Sequence, residues 1–319
     1  ILGLILGVCH AHGRDKLTIF TSPEIHDVGA WLEQLIAEST GKNDVAIIPV
    51  DRETSLPAAD YGNDRVFAFL TIAGNTSLDD QYKSVASAGH PAVKIDLVSI
   101  DTLGQEFFRW EFATAVAGSV MKINPFNQPD VESAKIEARK LTDEYEETGK
   151  LPDETPFFES DGMAFYSSDE YSSTLTSTAD ETTLAGIISA HLGHIGPGDY
   201  FGLLAYVEMN TENERLLQSV RTSVLTQFDC ATCLGFGPRF LHSTGQAYKG
   251  GGNNGVFLQI TADDEADVPV PGQTYSFGVV KAAQARGDFQ VLLDRGRRAL
   301  RIHLGPNVRK DLEKIVSVV

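Results

Sequence analysis

The chain has 319 residues, which is long enough for two domains that each bury a core. Its composition, 42% hydrophobic and 22% charged, is typical of a soluble globular protein, and no apolar run is long enough to span a bilayer. A formal net charge of −18 argues against nucleic acid or an anionic membrane as a partner, because both require concentrated Lys and Arg. The three cysteines do not make a disulfide framework and predict a reducing, cytoplasmic setting.

The chain opens with an apolar run at residues 1–8. This run could be read as the core of a signal peptide, but it has neither an initiator Met nor a basic leader. The better interpretation is a helix over 1–13 that packs within an α/β domain. The missing Met suggests a truncated chain or a proteolytic product.

The first 147 residues alternate between apolar strand patterns and helical patterns. Strands are predicted at 16–20, 45–50, 65–72 and 92–98, and helices near 24–37, 79–88, 103–121 and 130–145. This alternation predicts a parallel sheet that is covered by helices on both faces. Such a sheet places its ligands at the carboxyl ends of the strands.

Residues 148–181 are rich in Ser, Thr, Asp, Glu and Pro, which predicts an irregular acidic connector and a domain boundary. The α/β rhythm then returns over 182–319, which predicts a second, smaller α/β domain. Its predicted strands are at 200–207, 230–235, 256–261 and 299–304. Its predicted helices are at 182–193, 211–227, 277–286 and 287–296, with a closing helix at the end of the chain.

Two motifs carry most of the functional signal. In Ala37-Glu-Ser-Thr-Gly-Lys42, an apolar helical run ends in a carboxylate, Glu38, that is followed by small polar residues. In Asn124-Pro-Phe-Asn-Gln-Pro-Asp-Val-Glu-Ser-Ala-Lys135, two prolines end a helix and a new helix opens at Asp130, so that Lys135 lies in its first two turns. Together they predict one sugar-phosphate site.

These motifs, in this order, resemble phosphoglucose isomerase, in the form in which that enzyme is fused behind a transaldolase. The segment 234–246, with the following Lys249-Gly-Gly, is similar to the C-terminal extension of the fused form. The resemblance covers essentially the whole chain, but the first part of the family's sequence has no counterpart in it. It implies two three-layer α/β/α domains with mainly parallel sheets, the first (1–147) of sugar-isomerase (SIS) type and the second (182–319) an extension. It also implies missing N-terminal isomerase and transaldolase domains, and a homo-oligomer.

The resemblance implies interconversion of glucose 6-phosphate and fructose 6-phosphate through an enediolate. A single carboxylate can move the proton between C1 and C2, and the resemblance gives that role to Glu38. It matches Lys135 and Gln128 to residues that support the sugar oxygens. Without the resemblance, Glu38 would be read as a solvated helix end and Lys135 as a surface lysine. The neighbours of the base are expected to shape the substrate pocket: Thr40, Gly41 and Lys42.

The sequence also departs from the family. The family uses a ring-opening histidine, but the corresponding stretch 61–67 contains none. His90 is a candidate for the ring-opening histidine by its location only. The alternative is that it is an ordinary loop histidine. The family's phosphate-binding Ser/Thr loop and an enediolate-stabilising arginine lie in an earlier domain, so this chain is expected to hold half a site.

A second candidate site lies in the C-terminal half. Its small residues and consecutive backbone N–H groups beside a lysine could cradle a phosphate or close over a sugar. The alternative is a glycine-rich turn that leads into the strand at Val256, and the spacing is not that of a Walker A loop. The candidate binding residues are His242, Ser243, Thr244, Gln246 and Lys249.

No metal or other cofactor is expected, because the proposed proton transfer needs none. Cys230 and Cys233 have C-x-x-C spacing but no second ligand pair nearby, which favours two half-buried structural thiols over a zinc or redox site. Two further hypotheses stay open. One is a non-catalytic module that binds sugar phosphates or acts as a scaffold, and the other is the structural core of an oligomer.

Overall fold

A computed structural model describes residues 1–127 and 131–319, without the side chains of 131–134. The described helices are α1 (Leu2–Ala11), α2 (Asp27–Thr40), α3 (Asp79–Ser87), α4 (Leu103–Met121), α5 (Val131–Thr148), α6 (Asp169–Thr178), α7 (Leu184–Leu192), α8 (Thr211–Phe228), α9 (Gly245–Gly250), α10 (Phe277–Asp294) and α11 (Val308–Val318). The described strands are β1 (Lys16–Thr21), β2 (Ile48–Asp51), β3 (Arg65–Ile72), β4 (Ala92–Leu97), β5 (Phe158–Ser160), β6 (Met163–Tyr166), β7 (Tyr200–Tyr206), β8 (Ala231–Phe236), β9 (Gly255–Thr261) and β10 (Arg298–His303). Among these helices, none is both long and apolar enough to cross a bilayer.

The chain divides into two compact units. The first comprises residues 1–129, 229–233 and 242–252, and the second comprises 130–228, 234–241 and 253–319. This division differs from the expected boundary at 147, because α5 packs against α10 and therefore belongs to the second unit. The chain also returns twice to the first unit, which a boundary placed on the sequence does not foresee.

The first unit contains a four-stranded parallel sheet in the order β2-β1-β3-β4. Side chains of β3 alternate between its faces. Val66, Ala68 and Leu70 pack in one apolar cluster with residues of α1, α2 and α4. Phe67 and Phe69 pack in another, with residues of α3 and the segment before β3. The sheet is therefore covered on both faces, and the α/β class with a parallel sheet is confirmed.

A buried ion pair holds residues 229–233 within the first unit. The side chains of Arg65 and Glu53 are both 0% exposed, and Arg65 Nη1 lies 2.7 Å from Glu53 Oε2. Arg65 Nη2 also donates to the carbonyl oxygen of Cys230 at 3.2 Å. Glu53 Oε1 accepts from the backbone N–H of Thr232 at 2.8 Å. Both charges thus have several partners, as a buried pair requires.

The second unit contains a six-stranded sheet in the order β5-β6-β10-β9-β7-β8. Strands β10, β9 and β7 are parallel to one another, whereas β6 pairs antiparallel with both β10 and β5. The chain runs outward from β7 to β8 and in the opposite direction from β9 to β10. Because such crossovers are right-handed, their helices α8 and α10 lie on opposite faces of the sheet. The second sheet is therefore mixed, and its parallel part matches the prediction.

Two expectations about local structure were wrong. Residues 148–181 are not an irregular connector, since they contain β5, β6 and α6. The strands form a hairpin whose two-residue turn, Asp161-Gly162, has positive φ at both positions, as a tight hairpin turn requires. The two helices predicted at 277–286 and 287–296 are one helix, α10, because Gly287 is buried within it and does not break it.

Candidate functional site

The motif that carries Glu38 lies at the amino edge of the first sheet. Helix α2 connects the parallel strands β1 and β2, so it runs back along the sheet and ends near the start of β2. Glu38 lies in the last turn of this helix and is half-buried. The general expectation for parallel sheets, a ligand at the carboxyl ends of the strands, therefore does not describe the position of Glu38.

Thr40 fixes the path of the chain from α2 to β2. Its buried hydroxyl donates to the carbonyl oxygen of Ile36 at 2.7 Å and accepts from the backbone N–H of Ile47 at 3.0 Å. These bonds close the end of the helix and anchor the residues that precede β2. The hydroxyl that was expected to help bind substrate is therefore engaged by the backbone.

Gly41 brings two of the sequence candidates together. A Cβ at this position would lie 2.3 Å from Cα of Ala247, so only glycine permits this approach between the end of α2 and α9. Gln246 Nε2 donates to the carbonyl oxygen of Gly41 at 2.6 Å, and the N–H of Asp44 donates to the carbonyl oxygen of Gly250 at 3.0 Å. The Glu38 motif and the His242–Lys249 motif are thus neighbours within the first unit.

Lys42 joins the Glu38 motif to the segment that leads into the second motif. Its side chain is buried, and Nζ donates to the carbonyl oxygen of Asn124 at 2.9 Å and to Asn127 Oδ1 at 3.3 Å. Nζ also donates to the carbonyl oxygen of Asn127. The sequence pointed to Lys42 as a substrate ligand, and it gave no signal for these contacts with backbone carbonyls. Because its ammonium donates to carbonyl oxygens of both asparagines, Lys42 fixes the position of the chain at the start of the second motif.

A phosphate cradle was one of the two expectations for the segment around Lys249. Residues 245–250 form the short helix α9, in which the N–H of Tyr248 donates to the carbonyl oxygen of Thr244 at 3.0 Å. The N–H of Gly251 likewise donates to Ala247 at 2.9 Å. These N–H groups are used by the helix itself, so the expected row of free donors is not formed. Four candidates there are buried and one is exposed: Ser243, Thr244, Gln246 and Lys249 are buried, and His242 is exposed.

His90 lies on the face of the first sheet opposite α2. Its Nε2 lies 3.0 Å from the carbonyl oxygen of Ala58, and its ring packs edge-on against Phe67 at a centroid distance of 5.4 Å. Phe67 belongs to the cluster on the α3 face, whereas α2 packs on the other face. The structure thus gives His90 a packing role and does not place it beside Glu38.

The remaining candidates of the second motif are placed only in part. Lys135 is exposed in the second turn of α5 and belongs to the second unit. Gln128 lies outside the described residues.

Two of the three cysteines, Cys230 and Cys233, lie in the core of the first unit. Cys230 and Cys233 are fully buried rather than half-buried, and burial raises the pKa of the Cys230 thiol to about 12. Across residues 1–127 and 131–319, no three His, Cys, Asp or Glu side chains come together as metal ligands would.

The chain matches no protein-family profile. It is 28% identical over 151 residues to the glucose-6-phosphate isomerase of Parabacteroides distasonis, covering 35% of this chain and 34% of that protein. It is 27% identical over 147 residues to the enzyme of Lactobacillus gasseri, covering 39% and 30%. It is also 27% identical over 158 residues to that of Leptospira biflexa, covering 38% and 35%. The chain spans about a third of the length of the curated relatives it matches.

Solved structures show only a distant likeness. A hypothetical protein from Thermus thermophilus has a TM-score of 0.33 at 11% identity, over 99% of this chain and 81% of that one. The C-terminal domain of glucosamine-fructose-6-phosphate aminotransferase from Francisella tularensis has a TM-score of 0.24 at 9% identity, over 98% and 83%. At these scores the likeness carries no conclusion about fold or function. What stands is a low-identity, partial similarity to glucose-6-phosphate isomerases.

Proposed function

We propose that this chain is the part of a glucose-6-phosphate isomerase that supplies the catalytic base, Glu38, in a protein fused behind a transaldolase. The observation that carries the proposal is the contact of Lys42 with Asn124 and Asn127. It joins two motifs that lie more than eighty residues apart in sequence and that the isomerase family uses in one site. The partial similarity to glucose-6-phosphate isomerases supports the same reaction class.

In the proposed reaction, Glu38 removes the proton from C2 of the open-chain aldose and returns it to C1 of the enediolate. One carboxylate is sufficient because both carbons present their protons to the same face of the substrate. Negative charge develops on the sugar oxygens during this transfer, and Lys135 and Gln128 would stabilise it. Glu38 is half-buried in the last turn of α2, and a base held on a helix supports a fixed approach to the substrate.

Lys42 has a positioning role in this proposal. Its ammonium donates to the backbone of Asn124 and Asn127 and so holds the segment that immediately precedes Gln128. The sugar phosphate itself would be held by residues of an earlier isomerase domain, which also supply an arginine for the enediolate. The chain alone is therefore expected to have half a site and no turnover.

The test is isomerisation of glucose 6-phosphate by the full-length protein, measured together with exchange of the C2 proton in deuterated water. Replacing Glu38 with Gln keeps the shape of the side chain and removes the base, so both rates should fall by roughly 10²- to 10⁴-fold. Glu33→Gln, in the same helix, is the matched control and should keep both rates. Wild-type rates in Glu38→Gln would exclude Glu38 as the base.

Lys135 needs a separate test because it belongs to the second unit. Lys135→Gln should lower kcat with little effect on the fold, since the side chain is exposed. Lys140→Gln is the matched control on the same helix, where Lys140 pairs with Glu137 at 2.7 Å. Equal rates in the two variants would remove Lys135 from the proposed site.

The second candidate function is a non-catalytic module that binds sugar phosphates. The observation that favours it is the position of His90 on the face of the sheet opposite α2, because the candidate ring-opening histidine is then not beside Glu38. Binding of fructose 6-phosphate by the full-length protein, without exchange of a C1 proton of this ketose in deuterated water, would establish this function and exclude the isomerase.

A further inference from the structure

A cavity of about 260 Å³ opens at the carboxyl ends of the parallel strands in the second unit. Tyr206 ends β7, Thr261 ends β9 and His303 ends β10, and all three residues line it. The chain leaves β7 in one direction and β9 in the other, so the order of strands reverses between them. In open α/β sheets, ligands bind in the crevice at this reversal. The cavity therefore lies where the topology favours a binding site.

Three cationic and two acidic side chains line the cavity. Lys281, Arg286 and Arg301 lie there with Glu154 and Asp263. Lys281 also pairs with Asp264, so Arg286 and Arg301 are the cations that a ligand would meet. The volume is close to the lower end of the range of small-molecule sites, roughly 300–1,000 Å³.

Two guanidinium groups are aimed at one carboxylate. Arg301 Nη2 lies 2.7 Å from Glu154 Oε1, and Arg286 Nε lies 2.8 Å from Glu154 Oε2. Paired guanidinium groups of this kind recognise carboxylates and phosphates. The side chain of Glu154 is 31% exposed, so it can turn toward solvent and leave both groups to a ligand.

Arg301 is held rigidly at the base of the cavity. Its side chain is only 4% exposed, and its guanidinium lies over the ring of Tyr166 at 4.2 Å and that of Phe289 at 5.1 Å. Burial lowers the pKa of Arg301 from its ordinary value, because the charged form is poorly solvated there. Its Nε has no hydrogen-bond partner among the described residues. A buried cation with an unused donor strengthens the attraction for an anion.

Tyr206 provides a second unused group. The residue is 1% exposed, and its hydroxyl has no hydrogen-bond partner within the described parts of the chain. A buried hydroxyl without a partner costs free energy unless something binds it. Nearby, His303 Nδ1 lies 3.0 Å from Thr261 Oγ1, and burial lowers the pKa of His303. The ring is therefore uncharged near neutral pH and can pair with a sugar or glycerol hydroxyl.

We propose that this cavity binds a small metabolite whose phosphate or carboxylate group lies against Arg286 and Arg301 and whose hydroxyl group pairs with Tyr206. The site is formed by the second unit alone and contains neither Glu38 nor Lys135. It is therefore a second ligand site, whose existence does not depend on the proposed isomerase activity.

Three probes of matched size distinguish the chemistry: glycerol 3-phosphate, glycerate and uncharged glycerol, titrated into the full 319-residue chain by calorimetry. Binding of glycerol 3-phosphate alone identifies a phosphate site. Binding of glycerate alone identifies a carboxylate site, and binding of both anions identifies a general anion site. Each of these results supports the proposal, whereas equal binding of glycerol, or no binding of either anion at millimolar concentration, overturns it.

Variants then locate the binding. Arg286→Gln should weaken it on the order of ten- to a hundredfold, and Tyr206→Phe roughly two- to tenfold. Tyr206→Phe removes a hydroxyl that no described residue uses, so its fold should persist and its affinity remains a valid test if Arg286→Gln is unstable. Arg215→Gln, an exposed position outside the cavity, should bind as wild type. Binding that is unchanged in Tyr206→Phe and Arg286→Gln, or lost in Glu38→Gln, would overturn the assignment.

Discussion

Cationic side chains meet acceptors in two different ways in the two units. In the first unit, the buried ammonium of Lys42 donates to Asn124 and Asn127, and the buried guanidinium of Arg65 donates to Glu53 and Cys230. In the second unit, Arg301 and its neighbours line a cavity and share a partly exposed carboxylate. The first set holds segments of the chain in place, whereas the second set faces space that a ligand can enter.

This difference shows that a motif that resembles a known family does not by itself have polar groups that are open to a ligand. The Glu38 motif resembles that of a known family, yet several of its polar groups are engaged by the backbone, as Thr40 and Lys42 show. The cavity in the second unit matches no motif, yet it contains polar groups that no described residue satisfies. Motif similarity is therefore the basis for proposing a reaction class, whereas unsatisfied polar groups beside a cavity are the basis for proposing where a ligand binds.

The largest expected effect comes from comparing the two arginine–carboxylate pairs. Glu53→Gln leaves the guanidinium of Arg65 buried without its counter-charge, so the free energy of unfolding should fall by about 3–5 kcal/mol. Glu154→Gln should cost on the order of 1 kcal/mol, because Glu154 is partly exposed. Urea denaturation of the two variants measures both values.

The same pair also affects ligand binding. Glu154 competes with a bound anion for Arg286 and Arg301, so Glu154→Gln should bind glycerol 3-phosphate more tightly than wild type, whereas Glu53→Gln should not. The comparison would be wrong if the two variants lost equal stability and Glu154→Gln bound glycerol 3-phosphate as wild type does. Both pairs would then be structural.

The next effect concerns Lys42. Lys42→Met keeps the apolar stem and removes the ammonium, leaving the carbonyl oxygens of Asn124 and Asn127 without this donor. The free energy of unfolding should fall by about 2–3 kcal/mol, as expected for a lost hydrogen bond from a charged group. Lys122→Met, at the exposed end of α4, is the control and should change stability by less than about 0.5 kcal/mol. Wild-type stability in Lys42→Met would show that Lys42 does not hold the segment.

Much of the fold could be predicted because its elements repeat a simple pattern. The strand at 65–72 and the helices at 79–88 and 103–121 match the structure closely, since continuous apolar runs and helical spacing are strong signals. The hairpin β5–β6 was missed because its strands have only three and four residues. Its Asp161-Gly162 turn was an available signal, because this dipeptide favours tight hairpins.

The sites were harder to predict because their contacts are long-range. The end of α2 was placed three residues too early from sequence, and the bonds of Lys42 to residues more than eighty positions away were not foreseen. In the second unit, Arg301 and His303 lie in a strand pattern that looks like ordinary core. Their partner Glu154 comes from a segment interpreted as a connector. Sequence pattern reports local periodicity, and it does not report which charges meet after folding.

A third effect tests the second unit by pH. His191 is completely buried, and burial lowers its pKa from 6.5 to about 3. Between these values the unfolded chain binds a proton that the folded chain does not, so stability falls as the pH falls, by about 1.4 kcal/mol per pH unit. The loss of stability attributable to His191 should therefore reach about 2 kcal/mol at pH 5.

Urea denaturation at pH 7, 6 and 5 measures this dependence. His191→Gln removes the titrating group and should flatten the slope. Tyr171→Phe removes the hydroxyl 3.0 Å from His191 Nδ1 but keeps the buried ring, so it should keep the slope. A slope in His191→Gln as steep as in wild type would assign the acid sensitivity to other groups.

A further contrast comes from two buried threonines in the first unit. Thr40→Val removes a hydroxyl that serves the backbone of Ile36 and Ile47, so it should cost about 1–3 kcal/mol. Thr244 is equally buried, but its hydroxyl has no partner among the described residues and does not cap α9. Thr244→Val should therefore change stability by less than about 1 kcal/mol, in either direction.

The affinity of the full-length protein for fructose 6-phosphate then distinguishes what the Thr244 hydroxyl does. If it is a ligand group, Thr244→Val should weaken binding roughly two- to tenfold while the fold stays intact, because only the bound state loses a hydrogen bond. Thr40→Val should show the opposite pattern. Its main effect should be a loss of stability, and its affinity should fall only if the end of α2 is displaced. A stability loss in Thr244→Val as large as that in Thr40→Val would show that both hydroxyls are structural.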